Sequence, residues 1–325
     1  MEKLDNNTQQ KKQIPFIELL KQAGRIVWQN RFLLWFGLLM ALGSPGSFNI
    51  GSNNEDFGKQ GEAAKNFFEN HWQIVLAMVV ALFIVCIILF LISLVAKAGL
   101  VRSVNIVSQN KKTNFKEGWR SGKKYLGKLF KLSVLFFLAV LLIVVILAVP
   151  IIYLIAVKSW FGAILVGLFA IAILVPIIFI FILTKIFAEF YIVLSDLRLR
   201  SAIEAGYNLL LKNIGHSIIF GLLLLAVSLA AGIVLLPVAG IALIILVPTG
   251  IAFYYLSKIA FAVFLGIAIL LFFAVILLYS AIFQTYKTAA WTLFFQEIAK
   301  VEKPETEAIA ETELEKPIIA APEKV

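Results

Sequence analysis

From Phe115 to Val157 the chain reads FKEGWRSGKKYLGKLFKLSVLFFLAVLLIVVILAVPIIYLIAV. Its first 17 residues carry Lys116, Arg120, Lys123, Lys124, Lys128 and Lys131 against one acid, Glu117, and the 25 from Ser133 onward carry no charge at all. About 20 helical residues cross a hydrocarbon core roughly 30 Å thick. The second half of this stretch is therefore long enough to span a bilayer, and the first half is a cationic approach to it. Four more charge-free runs follow the same rule: Gln73 to Ala96, Ser159 to Thr184, Ser217 to Ser257 and Ile259 to Tyr286. None alternates apolar and polar residues with the period of two that a lipid-facing barrel strand needs, so helices are expected.

Composition agrees with the runs. With 61% apolar and 15% charged residues and a mean hydropathy of +0.96, the chain has too little polar surface to cover a water-soluble globule. The fold class expected is all-α: a polytopic transmembrane helix bundle of about six spans, with interfacial amphipathic helices and a disordered C-terminal tail. In boundaries this means a flexible N-terminus over 1–13 and a transmembrane domain over 14–299. The spans fall at about 32–50, 73–97, 133–157, 161–185, 217–236 and 259–286. An interfacial helix is expected at 15–29, a basic interfacial helix at 115–131 and a further helix at 202–214. The tail, 300–325, holds Glu302, Glu305, Glu307, Glu311, Glu313, Glu315 and Glu323 and few aromatics, so it lacks the apolar surface to fold on itself.

Two segments resist a simple reading. Phe32 to Gly43 is apolar for only 12 residues, bounded by Arg31 and Ser44-Pro45-Gly46, and needs residues around Phe48 to Ile50 to complete a span. The roughly 30 residues before it carry helix-period apolar positions (Phe16, Leu19, Leu20, Ala23, Ile26, Val27), unlike a signal peptide's short basic stub, so an uncleaved first span is expected. Ser217 to Ser257 has 41 residues, about 60 Å as a helix. Pro237, Gly240, Pro248 and Gly250 favour one span to about Leu236 followed by a non-helical or re-entrant piece.

Orientation follows the lysines and arginines. Leu100 to Leu132 holds nine of them and one acid, a net +8, and is expected on the cytoplasmic side. Ser44 to Trp72, with Glu55, Asp56, Glu62 and Glu69 against Lys59 and Lys65, belongs opposite. Both termini are then cytoplasmic. A loose internal repeat fits this count: Phe16-Ile17-Glu18, Phe115-Lys116-Glu117 and Ala202-Ile203-Glu204 each open a helix that leads into a pair of spans.

Function is far less legible. The one cysteine, Cys86, lies inside an apolar run and the two histidines, His71 and His216, are far apart, so neither a disulfide nor a metal cluster is expected. Paired acids, a nucleophile elbow and a phosphate-cradling glycine loop are absent from the sequence, so no enzyme and no cofactor are expected. Lys97, Lys185 and Glu189 sit near span ends, where anchoring or a Lys185–Glu189 pair four residues apart explains them. Pro150, Pro176, Pro237 and Pro248 read as kinks, with a carrier for a small or amphiphilic substrate as the rival reading. The segment 115–131 alternates Phe115, Trp119, Leu126, Leu129 and Phe130 with its cations. Such a helix is expected to lie in the headgroup layer, with Lys116, Arg120, Lys123, Lys124, Lys128 and Lys131 over anionic lipid. Membrane lipids are the expected partners. Nucleic acid is not, because the helix is tethered at the membrane and its apolar face is needed there.

Trp28-Gln29-Asn30-Arg31-Phe32-Leu33-Leu34-Trp35-Phe36-Gly37-Leu38-Leu39 entering the first span, and Ser201-Ala202-Ile203-Glu204-Ala205 before the fifth, give the chain a family look. With the basic helix between them they resemble bacterial six-span proteins related to the membrane domain of glycerophosphodiester phosphodiesterases, over Pro15 to about Phe295. That resemblance implies an inner-membrane helical bundle without the hydrolytic domain, and no diesterase activity comes with it.

Overall fold

The computed structural model describes residues 14–43 and 72–314, which form eight helices. They are α1 (Phe16–Gln29), α2 (Leu33–Leu42), α3 (Trp72–Ser108), α4 (Phe115–Ala156), α5 (Trp160–Ser195), α6 (Leu199–Lys212), α7 (Ile214–Leu256) and α8 (Lys258–Leu314). Five helices are long and apolar enough to cross a membrane, and in the most hydrophobic window of four of them no residue is buried by protein. Val79, Leu82, Leu142, Ile146, Leu165, Leu168, Ile269 and Leu270 are instead exposed. Such a surface is stable only against lipid. This is a membrane protein.

The core lies at one end of the long helices. There α1, α2 and α6 pack onto Leu94–Val104 of α3, Tyr125–Leu132 of α4, Leu183–Val193 of α5 and Ala289–Ile298 of α8. Aromatic rings fill it: Phe220 stacks on Phe294 at 4.3 Å, Trp291 meets Phe220 edge-on at 5.2 Å, and Phe36 lies 4.6 Å from Phe115. At the opposite end α7 and α8 meet through Phe253 stacked on Phe264 at 5.0 Å and Tyr254 edge-on to Phe261 at 5.6 Å.

The repeat read from the sequence has a packing counterpart. The helix that opens each unit docks on the last long helix of another: α4 on α3, α6 on α5 and α1 on α8. The α3–α4 contact is close enough to require glycine. A Cβ at Gly122 would strike the Val95 carbonyl oxygen, and one at Gly99 would sit 2.8 Å from the Gly118 carbonyl oxygen. Small residues let helix backbones approach this way.

Three sequence expectations change. The segments 115–131 and 133–157 are one unbroken helix, α4, so the basic segment shares the span's axis and does not lie across it. The physical reason is a missing stop. At the ends of α1 and α6, Asn30 and Asn213 turn the chain, their amides donating to the carbonyl oxygens of Ile26 (2.9 Å) and Leu209 (3.2 Å). Leu126, Lys128, Leu129, Lys131 and Leu132 offer no such group and are good helix formers.

The run 217–257 does not leave the helix near Leu236; α7 continues to Leu256 with Pro237 and Pro248 inside it. A proline removes one hydrogen bond, whereas an irregular segment in an apolar environment would leave several backbone groups unpaired, so the helix persists. The last helix also runs past residue 300 to Leu314. Glu, Ala and Leu there cannot build a core but are strong helix formers. The first apolar stretch is as short as the sequence indicates: α2 has 10 residues, about 15 Å, half a hydrocarbon thickness. The rest of the 32–50 span from residue 44 onward, the acidic residues Glu55, Asp56 and Glu62 with His71, and the segment 1–13 lie outside the described residues.

Candidate functional site

The six expected contact cations separate into two groups. Asn114 caps α4, its side chain accepting from the Glu117 amide at 3.0 Å while Thr113 donates to the Glu117 carboxylate at 3.1 Å. That start fixes the helical phase of everything after it. Gly118, Gly122, Tyr125, Leu129 and Leu132 face inward. Lys116, Arg120, Lys123 and Lys131 are exposed, and no ion pair among the described residues engages them. Lys123 lies 5.9 Å over the Trp119 ring.

Lys124 and Lys128 are already committed. Both donate to the carboxylate of Asp196 at 2.7 Å, and Lys128 also reaches the Asp196 and Leu197 carbonyl oxygens at 3.2 and 3.3 Å. Asp196 closes α5 in the left-handed conformation, with φ 52°, which turns its side chain back toward α4. Hydrogen bonds from Lys124 and Lys128 hold its carboxyl well below the usual range, at about 2. These two cations therefore bind the α5–α6 corner.

The helix expected at 202–214 is α6, and it packs against α5. Ala202, Gly206, Leu209 and Leu210 face α5, while Tyr207 and Leu211 are exposed. Cys86 lies exposed on the apolar half of α3.

The sequence reading missed one cluster. Glu189 of α5, nearly fully buried, pairs with Lys97 of α3 across the helix interface. Lys185, one turn before Glu189, interacts electrostatically with both Glu189 and Lys97, and Lys287 of α8 interacts with Lys97. The Lys185–Glu189 pair foreseen within α5 is thus one part of a cluster drawn from three helices. A readable signal was present: Lys97, Lys185 and Lys287 are each the first charge after an apolar run, following Ala96, Thr184 and Tyr286.

Several openings adjoin the closed end. An apolar groove of about 330 Å³ runs between α4, α5 and α6, lined by Phe136, Ile180, Phe181, Thr184 and Tyr207. Another of about 320 Å³ lies between α1, α7 and α8, lined by Trp28, Val227, Tyr279, Phe283 and Tyr286. A polar groove of about 540 Å³ includes Gln22, Arg25, Asn30, Lys111, Lys112 and Thr113. The first two are shaped for hydrocarbon, and the third is lined by cations and amides. Among the described residues no three His, Cys, Asp or Glu side chains come together as metal ligands.

No curated protein matches the chain, and no solved structure does. A family of unknown function (DUF7544) matches residues 28–299, from the end of α1 into α8. With most of its length covered by that match, the chain belongs to this family.

Proposed function

We propose that the protein is a non-enzymatic, multi-pass protein of the bacterial cytoplasmic membrane, crossing it six times with both termini inside, that binds anionic lipid at its closed, basic end. The observation that carries the reading is the exposed cationic edge of α4, formed by Lys116, Arg120, Lys123 and Lys131, running directly into a lipid-facing span. The charge bias of Leu100 to Leu132 supports the orientation, and the count of six includes the apolar stretch that begins at Phe32. The likeness of Trp28–Leu39 and Ser201–Ala205 to the membrane domain of glycerophosphodiester phosphodiesterases favours the same count.

A collinear helix grades the contact. Lys131 lies two residues from Ser133, about 3 Å along the axis, whereas Lys116 lies about 25 Å away. Headgroups occupy roughly 5–7 Å on each side of the hydrocarbon, and charge is screened over about 8 Å at physiological salt. Lys131 therefore contributes most, on the order of 1 kcal/mol, and Lys116 little. The carrier reading is weaker, because Pro150, Pro176, Pro237 and Pro248 all stay inside unbroken helices, whereas midplane substrate sites use discontinuous ones.

Binding of phosphatidylglycerol over phosphatidylcholine by the purified protein, read by native mass spectrometry, tests the proposal. Lys123→Gln with Lys131→Gln is expected to lower the preference severalfold and Lys116→Gln to leave it nearly unchanged. No preference in the wild type would refute the reading.

A further inference from the structure

We infer that Lys97, Lys185 and Lys287 form a binding site for a phosphate-type oxyanion at the centre of the closed end, distinct from the exposed edge of α4. The three lysines come from the last long helix of each unit, α3, α5 and α8, and stand at the same place in each, immediately after the apolar run. α3 packs against both α5 and α8 at this end. Among the described residues the cluster joins three cations and one counter-charge, Glu189, which is spent on Lys97. A net charge of +2 thus gathers where the spans leave the apolar layer. Lys97 and Lys185 are half-buried there, where water screens a cation less than at the surface, and Lys287 stands exposed beside them. An oxyanion of charge −1 or −2 balances the excess, and lysine supplies up to three donors each for its oxygens.

Depth points to the source of that anion. Phosphate groups of lipids sit at the edge of the hydrocarbon, level with residues that end apolar runs. Lys185 also adjoins Thr184, which lines the apolar groove between α4, α5 and α6, so an acyl chain and a charged headgroup can be accommodated at neighbouring positions. This inference rests on the reading of the chain as an anionic-lipid binder, but it uses none of the residues on which that reading depends.

The test uses the full chain in detergent and two probes, phosphatidylglycerol and inorganic phosphate. Each single change, Lys97→Gln, Lys185→Gln or Lys287→Gln, is expected to weaken binding about fivefold, the effect of one cation near an anion. Glu189→Gln raises the cluster to +3 and is expected to tighten binding instead, a gain that misfolding cannot mimic. Weakening with the lipid alone marks a headgroup site, and weakening with both probes marks a site that also takes free phosphate. If the triple Lys→Gln variant keeps wild-type affinity for both, or Glu189→Gln weakens binding with helix content intact, the site does not exist. Loss of lipid preference in the α4 variants alone would leave the lipid-binding reading standing and remove only this site.

Discussion

At Gly122 a single methyl group decides whether α3 and α4 can meet. Its Cβ would press on the Val95 carbonyl oxygen, and backbone cannot swing aside as a side chain does. Gly122→Ala is expected to destabilise the protein by about 1–3 kcal/mol, the usual cost of overpacking, read as a lower thermal midpoint in detergent. Gly127, in the same helix, has nothing within 4 Å, so Gly127→Ala is expected to raise the midpoint by the equivalent of about 0.5–1 kcal/mol. Equal effects at the two positions would mean the helices are not in close contact.

Asp196 offers a second residue-scale test. Its pKa falls from 3.8 to about 2 through the hydrogen bonds from Lys124 and Lys128. A carboxyl lowered on folding stabilises the fold above its unfolded value and loses that contribution as pH drops through the folded one. The link between α4 and the α5–α6 corner should therefore be intact above about pH 4 and lost toward pH 2. Stability measured from pH 5 to pH 2 should fall less steeply in Asp196→Asn than in the wild type; parallel curves would mean the carboxylate makes no such bonds.

Among the elements, α4 separates the sequence reading from the structure most clearly. Its two halves were legible as a cationic helix and a span, because charge and apolar run length are written residue by residue. Their fusion was not, because it depends on the absence of a helix stop between Lys131 and Ser133. The asparagines that end α1 and α6 show what such a stop looks like. The inward face of α4 was hidden for a related reason. Gly118 and Gly122 lead it, and glycine adds nothing to an apolar stripe although it permits the closest packing. Cysteine scanning from Lys123 to Leu138, with Cys86 replaced, should give one accessibility wave of period 3.6 across Lys131 to Ser133. A phase break there would restore two separate helices.

In the whole molecule, the apolar ends of the helices are left to lipid while one aromatic core ties all three units together. Phe220 and Phe294 stand at its centre, fully buried and stacked. Phe294→Ala is expected to cost about 3–5 kcal/mol, and an unchanged thermal midpoint would show that the core is not where stability resides. The span-forming character of this architecture could be read in the apolar runs alone. The place of Lys97, Lys185 and Lys287 at the ends of those runs could be read as well, but not their meeting, because they are about 90 to 100 residues apart and only the packing of α3 against α5 and α8 gathers them. The central claim is that these lysines share one depth, at the boundary between lipid headgroup and hydrocarbon, with the apolar halves of the helices immersed above them. Spin labels placed singly at 97, 185 and 287, and at 85, 142 and 270, in protein reconstituted into lipid nanodiscs measure this directly. The account predicts one common headgroup depth for the first three and high oxygen with low nickel-chelate accessibility for the second three. Different depths among the lysine positions, or water-exposed labels at 85, 142 and 270, would contradict it.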